Sequence, residues 1–248
     1  MRQRAAEFGV RVEQAKASEA PPPWGWYPYR MLPGFIEQLD DLLTGENRLL
    51  LEEPQARRIA DLASSDGDLG FFLQSIGFEV DVIDGGENAV ESARRLKRLL
   101  GSDASVYHVN IDHDFTLPAT YDLVLCLGVF YHLRNPLLAL DTLARVTRHC
   151  VISTKVMRYL ARRPMFGRRR RMDVSEVPVA YLLDTYEVAP DDPTNYWVYS
   201  EALWRRMVAR SGWTVLDYRA VGNVGHSLPA GVPEERAWCL LRSEVFGA

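Results

Sequence analysis

The sequence predicts a doubly wound α/β fold, with a mostly parallel seven-stranded sheet, an N-terminal helical arm and an inserted cap. From about residue 58, short apolar runs alternate with amphipathic stretches, the pattern of a parallel sheet covered by helices on both faces. Tyr121 to Leu127 is apolar almost throughout, as in a central strand buried on both sides. Two late strand-like runs have no helix between them, which suggests an antiparallel pair added at one edge. A chain of 248 residues with 47% hydrophobic content can bury such a core.

Residues 1 to 47 form the predicted arm. Residues 1 to 23 are polar and Ala-rich and end in Pro21-Pro22-Pro23, so they read as an arm or lid outside the core. The aromatic cluster Trp24, Trp26, Tyr27 and Tyr29 precedes an amphipathic helix carrying Phe35, Ile36, Leu39, Leu42 and Leu43, stopped by Gly45. Residues 48 to 154 hold five strands: Arg58 to Leu62, Glu79 to Asp84, Ser105 to Ile111, Tyr121 to Leu127 and Cys150 to Thr154. Their helices end at Gly77 and Gly101, or open with Asn135 as cap and Pro136 at the first position. Residues 155 to 198 break the rhythm with Arg162, Arg163, Arg168, Arg169, Arg170 and Arg171, and read as the cap. Residues 199 to 248 contribute a helix from Ser200 to Gly212 and strands at Thr214 to Val221 and Ala237 to Ser243.

The balance of 29 basic against 33 acidic residues gives −4, so no global attraction to nucleic acid or anionic membrane follows. Neither a continuous apolar leader nor a run near the ~20 apolar residues of a membrane span is visible, which gives the expectation of a soluble, cytoplasmic protein without a membrane partner. Cys126, Cys150 and Cys239 are an odd set without C-x-x-C spacing, read as buried reduced thiols. No His/carboxylate cluster argues for a metal.

Two acidic strand ends carry the chemistry. The first strand runs from Asp61 through Leu62, Ala63, Ser64, Ser65 and Asp66 into Gly67 and a helix, and the second ends at Asp84. A dinucleotide-binding loop needs closely spaced glycines to admit a pyrophosphate, and only Gly67 remains. A cofactor with an amino-acid tail, such as S-adenosylmethionine, tolerates Ala63 and Ser65 at the small-residue positions, because strand-end carbonyls, Asp61 and loop N–H groups meet its ammonium and carboxylate; Ala63, Ser64 and Gly67 are candidate contacts. A plain strand-to-helix turn is the alternative. Asp84 either accepts from ribose hydroxyls or caps the next helix. Asp112 either bonds an adenine amino group, with Ile111 on the ring face, or is a solvated turn residue. Leu127, ending the fourth strand, belongs to the same site. His132 follows that strand where ligands meet an open α/β sheet, and its pKa range suits a general base; a helix-capping or core histidine is the other reading, and Tyr131 shares the ambiguity. The arginine run either grips phosphate or is a solvated loop.

The stretch from Tyr121 to Pro136, with Gly128-Val129-Phe130-Tyr131-His132 after the fourth strand, together with the 61–67 loop and Val82-Ile83-Asp84, resembles class I S-adenosylmethionine-dependent methyltransferases. Within them it is similar to the tRNA wobble-uridine 5-oxyacetic acid methyltransferase-like group, marked by G-V-[LF]-Y-H-x-x-[NS]-P-L. The resemblance covers residues 24 to 154 and returns at Asn195 to Val198 and Arg236 to Leu241. It implies a Rossmann-like fold, S-adenosylmethionine as cofactor, and Tyr131 and Arg236 at positions that contact a carboxylated donor in the tRNA enzymes. Their lysines ahead of the first strand are missing here, where only Lys16, Lys97 and Lys155 occur, and Ala63 replaces a loop glycine.

The resulting expectation is methyl transfer to an oxygen of a small-molecule or sugar-type acceptor. His132 or Tyr131 would be the base, and Trp26, Tyr29 and Arg236 would lie at the acceptor. Rival readings are a tRNA wobble-uridine methyl or carboxymethyl transferase with RNA as partner, a non-catalytic S-adenosylmethionine-binding module and, through the wrong phosphate loop, a nicotinamide oxidoreductase. The oligomeric state is not legible.

Overall fold

In chain order the elements are α1 (Arg2–Ala17), α2 (Leu32–Leu42), β1 (Arg58–Leu62), α3 (Asp68–Ser75), β2 (Glu79–Asp84), α4 (Glu87–Leu100), β3 (Ser105–His108), β4 (Tyr121–Leu127), α5 (Pro136–Val146) and β5 (Thr147–Met157). They continue with β6 (Tyr159–Arg162), β7 (Arg170–Asp173), β8 (Ala180–Leu182), β9 (Trp197–Ser200), α6 (Glu201–Arg210), β10 (Trp213–Gly222) and β11 (Glu235–Ser243). The structure, a computed structural model, describes residues 1–53, 57–113, 115–162, 170–187, 193–231 and 234–247.

The main sheet runs β10-β11-β5-β4-β1-β2-β3, with β1 to β5 parallel and β11 antiparallel to both its neighbours. The parallel α/β architecture is therefore as expected. Alternation along β4 separates the two cores: Leu123, Leu125 and Leu127 join the cluster under α2, α3 and α4, while Val124 and Cys126 join the one under α5 and α6. Because both faces are covered, the strand reads as an unbroken apolar run. All three cysteines are buried and free.

Two features go beyond the expectations. The seven-stranded order stands as expected, and two further strands, β9 and β8, join the sheet off that path. Strand β5 outruns β4, so its Val156 and Met157 expose backbone that β9 pairs through Tyr199 and Ser200, and β8 adds to β9. The cap is thus partly sheet. The N-terminal residues are also not an arm outside the core. Ala5, Phe8 and Val12 form a stripe on the otherwise polar α1 and bury in the same cluster as α2 and α3, with Phe8 edge-on to Phe72 at 5.7 Å.

Helix termini follow their sequence signals in part. Ser200 caps α6 by accepting from the Leu203 N–H, and Gly101 ends α4 in the left-handed region. Asn135 stands at the N-cap of α5, but its side chain donates to the Asp112 carbonyl at 2.8 Å and makes no cap bond. Of the arginine run, residues 163 and 168 to 169 lie outside the described residues, and Arg162 and Arg170 pair across the β6–β7 hairpin. Among the described residues no helix is long and apolar enough to cross a membrane.

Candidate active site

The parallel strands end at a cleft of about 520 Å³. One wall is built from the first two strand tips. Asp61 is 4% exposed, and one carboxylate oxygen accepts from the Gly70 N–H at 2.8 Å. Burial pushes its pKa up to about 7, and the nearby Asp84 and Asp68 add to the rise. Helix α3 can come this close only because residue 70 has no side chain: a Cβ there would sit 2.6 Å from Val82 and 3.1 Å from Asp61.

The connecting loop is wound tightly. Ala63, Ser65 and Gly67 have φ of 60°, 53° and 84°, so two residues with side chains hold the left-handed conformation that glycine usually supplies. Asp84 stabilises that turn, accepting from the Ser65 N–H at 2.9 Å and from the Gly86 N–H at 2.8 Å. Burial raises its pKa against the pull of the Gly86, Ser65 and Gly85 N–H groups. The Ser64 hydroxyl is buried and makes no hydrogen bond among the described residues.

Helix α1 reaches this wall through Lys16, whose ammonium lies 2.9 Å from Asp66 and 3.1 Å from Asp68. Burial by itself would lower the Lys16 pKa, but Asp68 and Asp66 outweigh it and hold the pKa above its ordinary value. The Tyr27 N–H also donates to Asp66, at 2.9 Å, which ties the aromatic segment to the loop.

The opposite wall is made of distant segments. Tyr27, Tyr29, Met31, Leu32 and Phe35 line one side; Gly128, Val129, Tyr131, His132 and Thr194 line the other. Tyr27 and Tyr29 meet edge-on at 5.3 Å. Arg236 donates to the Tyr131 hydroxyl at 3.2 Å, and the Lys155 ammonium lies 4.6 Å from the centre of its ring. Glu234 bridges the two cations, pairing with Arg236 and lying 3.1 Å from Lys155, which also donates to Asn195 at 2.9 Å. Burial would lower the Arg236 pKa, and Tyr131 with Glu234 raises it instead. The His132 Nδ1 lies 3.0 Å from the Thr194 carbonyl oxygen and 2.9 Å from its hydroxyl.

Of the residues singled out in the sequence, Asp61, Ala63, Ser64, Asp84, Leu127, Tyr29, Tyr131 and His132 line this one cleft. Gly67 is the N-cap of α3, and Ile111 is buried in the α5–α6 core. Asp112 accepts from the Asn135 N–H at 2.7 Å. Trp26 sits beneath Lys16 and Arg95, and Arg236 stands behind Tyr131. Sequence reasoning missed Lys16, Lys155, Thr194 and Glu234 as site residues, since they reach the site from remote elements and carry no local motif; Asn195 opened a stretch of resemblance but was given no role. Asp66 was within reach, since it sits in the loop already singled out.

Residues 60–149 match a family model described as "Methyltransferase domain". Among solved structures, the N-terminal domain of EvdMO1 in the presence of SAH and D-fucose is 16% identical, with a TM-score of 0.56 over 96% of each chain. An S-adenosylmethionine-dependent methyltransferase from Clostridium acetobutylicum ATCC 824 is 11% identical, with a TM-score of 0.53 over 85% of this chain and 98% of that one. The glycopeptide N-methyltransferase MtfA is 13% identical, with a TM-score of 0.51 over 75% of this chain and 88% of that one. No curated protein sequence matches the chain. The fold is the Rossmann-like methyltransferase fold, and residues 60–149 carry a methyltransferase domain.

Proposed function

We propose that the enzyme methylates a hydroxyl oxygen of a small, uncharged acceptor of sugar type. The carrying observation is that one cleft joins a wall of carboxylates to a wall of aromatic rings ending in Tyr131 and His132. Asp61, Asp66, Asp68 and Asp84 converge on the donor side, a charge pattern that repels a pyrophosphate and suits a ligand carrying a sulfonium and an ammonium. Asp84 would hold the ribose, Asp61 the ammonium side, and the buried Ser64 hydroxyl offers a further polar contact. Bound there, S-adenosylmethionine supplies a methyl group on a positively charged sulfur, so the leaving group needs no further activation.

The protein then has to position the acceptor and take its proton. Tyr27, Tyr29 and Phe35 offer flat apolar faces for a sugar ring, and His132 or Tyr131 accepts the proton. EvdMO1 was crystallised with a sugar, D-fucose, which supports trying that class first. The test is release of S-adenosylhomocysteine by the full chain given S-adenosylmethionine and a panel of hydroxylated sugars led by D-fucose, with amine acceptors alongside. Turnover confined to amines would overturn the oxygen assignment.

A second reading, the tRNA wobble-uridine enzyme, draws on Arg236 against Tyr131. Glu234 already occupies both neighbouring cations, so an extra donor carboxylate would meet a site that is largely neutralised. Plain S-adenosylmethionine is therefore expected to bind at least as tightly as a carboxylated analogue. Competition calorimetry checks this, and a preference for the carboxylated donor that Arg236→Ala abolishes would put the tRNA reading first.

A further inference from the structure

Three consecutive residues near the end of the cap latch onto the turn that follows β4. Thr194 meets His132 through its carbonyl and its hydroxyl, at 3.0 and 2.9 Å. Asn195 accepts from Lys155, whose ammonium lies over the Tyr131 ring. The Tyr196 N–H donates to the Tyr131 carbonyl at 2.8 Å, and its hydroxyl accepts from Arg134 at 3.0 Å. The segment is itself anchored, since the Leu183 N–H donates to the Tyr196 carbonyl at 2.8 Å and the Tyr199 hydroxyl donates to the Phe130 carbonyl at 3.2 Å. The chain that follows Thr194 is thus anchored at Asn195, Tyr196 and Tyr199.

A carbonyl oxygen has no proton to give. A hydrogen bond between the Thr194 carbonyl and His132 Nδ1 therefore requires the proton to be on Nδ1, and the hydroxyl at 2.9 Å, which can donate or accept, can turn a lone pair to the same N–H. In a neutral imidazole the other nitrogen, Nε2, is then the acceptor. Histidine free in water prefers the opposite tautomer, with the proton on Nε2, so the protein has to impose this arrangement.

We infer that Thr194 is a positioning residue that holds His132 protonated at Nδ1, which makes Nε2 the atom that takes the acceptor's proton. The inference rests on the oxygen-acceptor reading above and selects His132 over Tyr131 as the base. The acceptor hydroxyl gives its proton to Nε2 as its oxygen bonds the methyl carbon and the carbon–sulfur pair stays on sulfur. The charge gained by the imidazole is shared with the two Thr194 oxygens at Nδ1–H, and the proton passes to water afterwards. Tyr131, held by Arg236 and Lys155, is left to orient the acceptor.

The test is long-range proton–nitrogen NMR on the full chain labelled at its 5 histidines, with the His132 signals identified by their loss in His132→Gln. The expected result near neutral pH is a protonated Nδ1 and a bare Nε2. Thr194→Val, which keeps the carbonyl and removes the hydroxyl, should raise the share of the opposite tautomer and lower S-adenosylhomocysteine release about fivefold at unchanged donor affinity. Thr194→Ser should restore both. A proton on Nε2 in the unsubstituted protein, or a Thr194→Val spectrum and turnover equal to it, would overturn the inference. Full turnover in His132→Gln would instead overturn the base reading beneath it, and the NMR result tells the two failures apart.

Discussion

The two walls of the cleft are built in opposite ways. The wall proposed for the donor comes, apart from Lys16 and the Tyr27 N–H, from one contiguous stretch, Asp61 to Asp84, and its geometry is set by local hydrogen bonds from the Ser65, Gly70 and Gly86 N–H groups to two carboxylates. The acceptor wall is collected from residues 27–35, 128–132 and 194, with Lys155, Glu234 and Arg236 behind it. Donor-side charge is acidic, and acceptor-side charge is two cations sharing one carboxylate. On the proposed reading, a ligand common to many enzymes would be met by a short, mostly local device, and a ligand specific to one enzyme by parts that only the folded sheet brings together.

If the walls divide the labour in this way, a substitution in one should leave the other's function intact. The largest effect is expected on the acceptor side. His132→Gln should lower turnover by roughly 100-fold or more, with donor affinity nearly unchanged, because it removes a proton acceptor that matters only in the transition state. S-adenosylhomocysteine release and calorimetry on the same preparation check it. Loss of donor binding in parallel would break the division.

The next effect belongs to Asp61 and appears as a pH dependence. Its carboxyl titrates at about 7 in the empty protein, so below that pH it is neutral and a cationic donor must displace its proton to bind. Donor affinity should fall about tenfold per pH unit from about pH 7 to about pH 5, and Asp61→Asn should flatten that slope. The sign for stability is the reverse. An unfolded aspartate ionises near its ordinary value of 3.8, whereas the folded one holds its proton to about 7, so this group costs the empty protein stability as pH rises through that window. Chemical unfolding with and without donor at several pH values measures both trends. Affinity constant across the window would remove Asp61 from the ammonium site.

Asp84 should have a smaller effect. Asp84→Ala is expected to weaken S-adenosylmethionine binding by about 1–3 kcal/mol, through lost ribose bonds and through release of the Ser65 and Gly86 N–H groups that it orders. Calorimetry decides it, and unchanged affinity in a folded variant would leave Asp84 only its loop-ordering role.

The same contrast explains what was legible in the sequence. Strand tips and glycine stops are local signals, so β1, β2, β4 and the donor loop could be read directly from Asp61, Asp84 and the apolar run before Gly128. Lys155 gave no such signal, because its partners Asn195 and Glu234 are far along the chain and meet it only when β11 and the segment before β9 pack beside β5. Helix α1 was misread for a related reason. Three small or apolar residues in a polar helix, Ala5, Phe8 and Val12, form a weak stripe until α2 and α3 supply the surface that covers it.

The smallest expected effect tests the donor loop itself. Ala63 holds φ of 60°, a conformation that costs an alanine about 1–2 kcal/mol relative to the right-handed region. Ala63→Gly removes that strain but gives the unfolded chain more freedom, a loss of about 0.4–1 kcal/mol. The difference favours glycine, and a gain of about 0.5 kcal/mol in urea unfolding is expected, with donor affinity little changed because Asp84 and the Ser65 N–H still set the turn. A clear loss of stability would mean that Ala63 is not left-handed in solution. The loop would then be a different turn from the one that points Asp61 and Ser64 into the cleft, and the local character of the donor wall would fail with it.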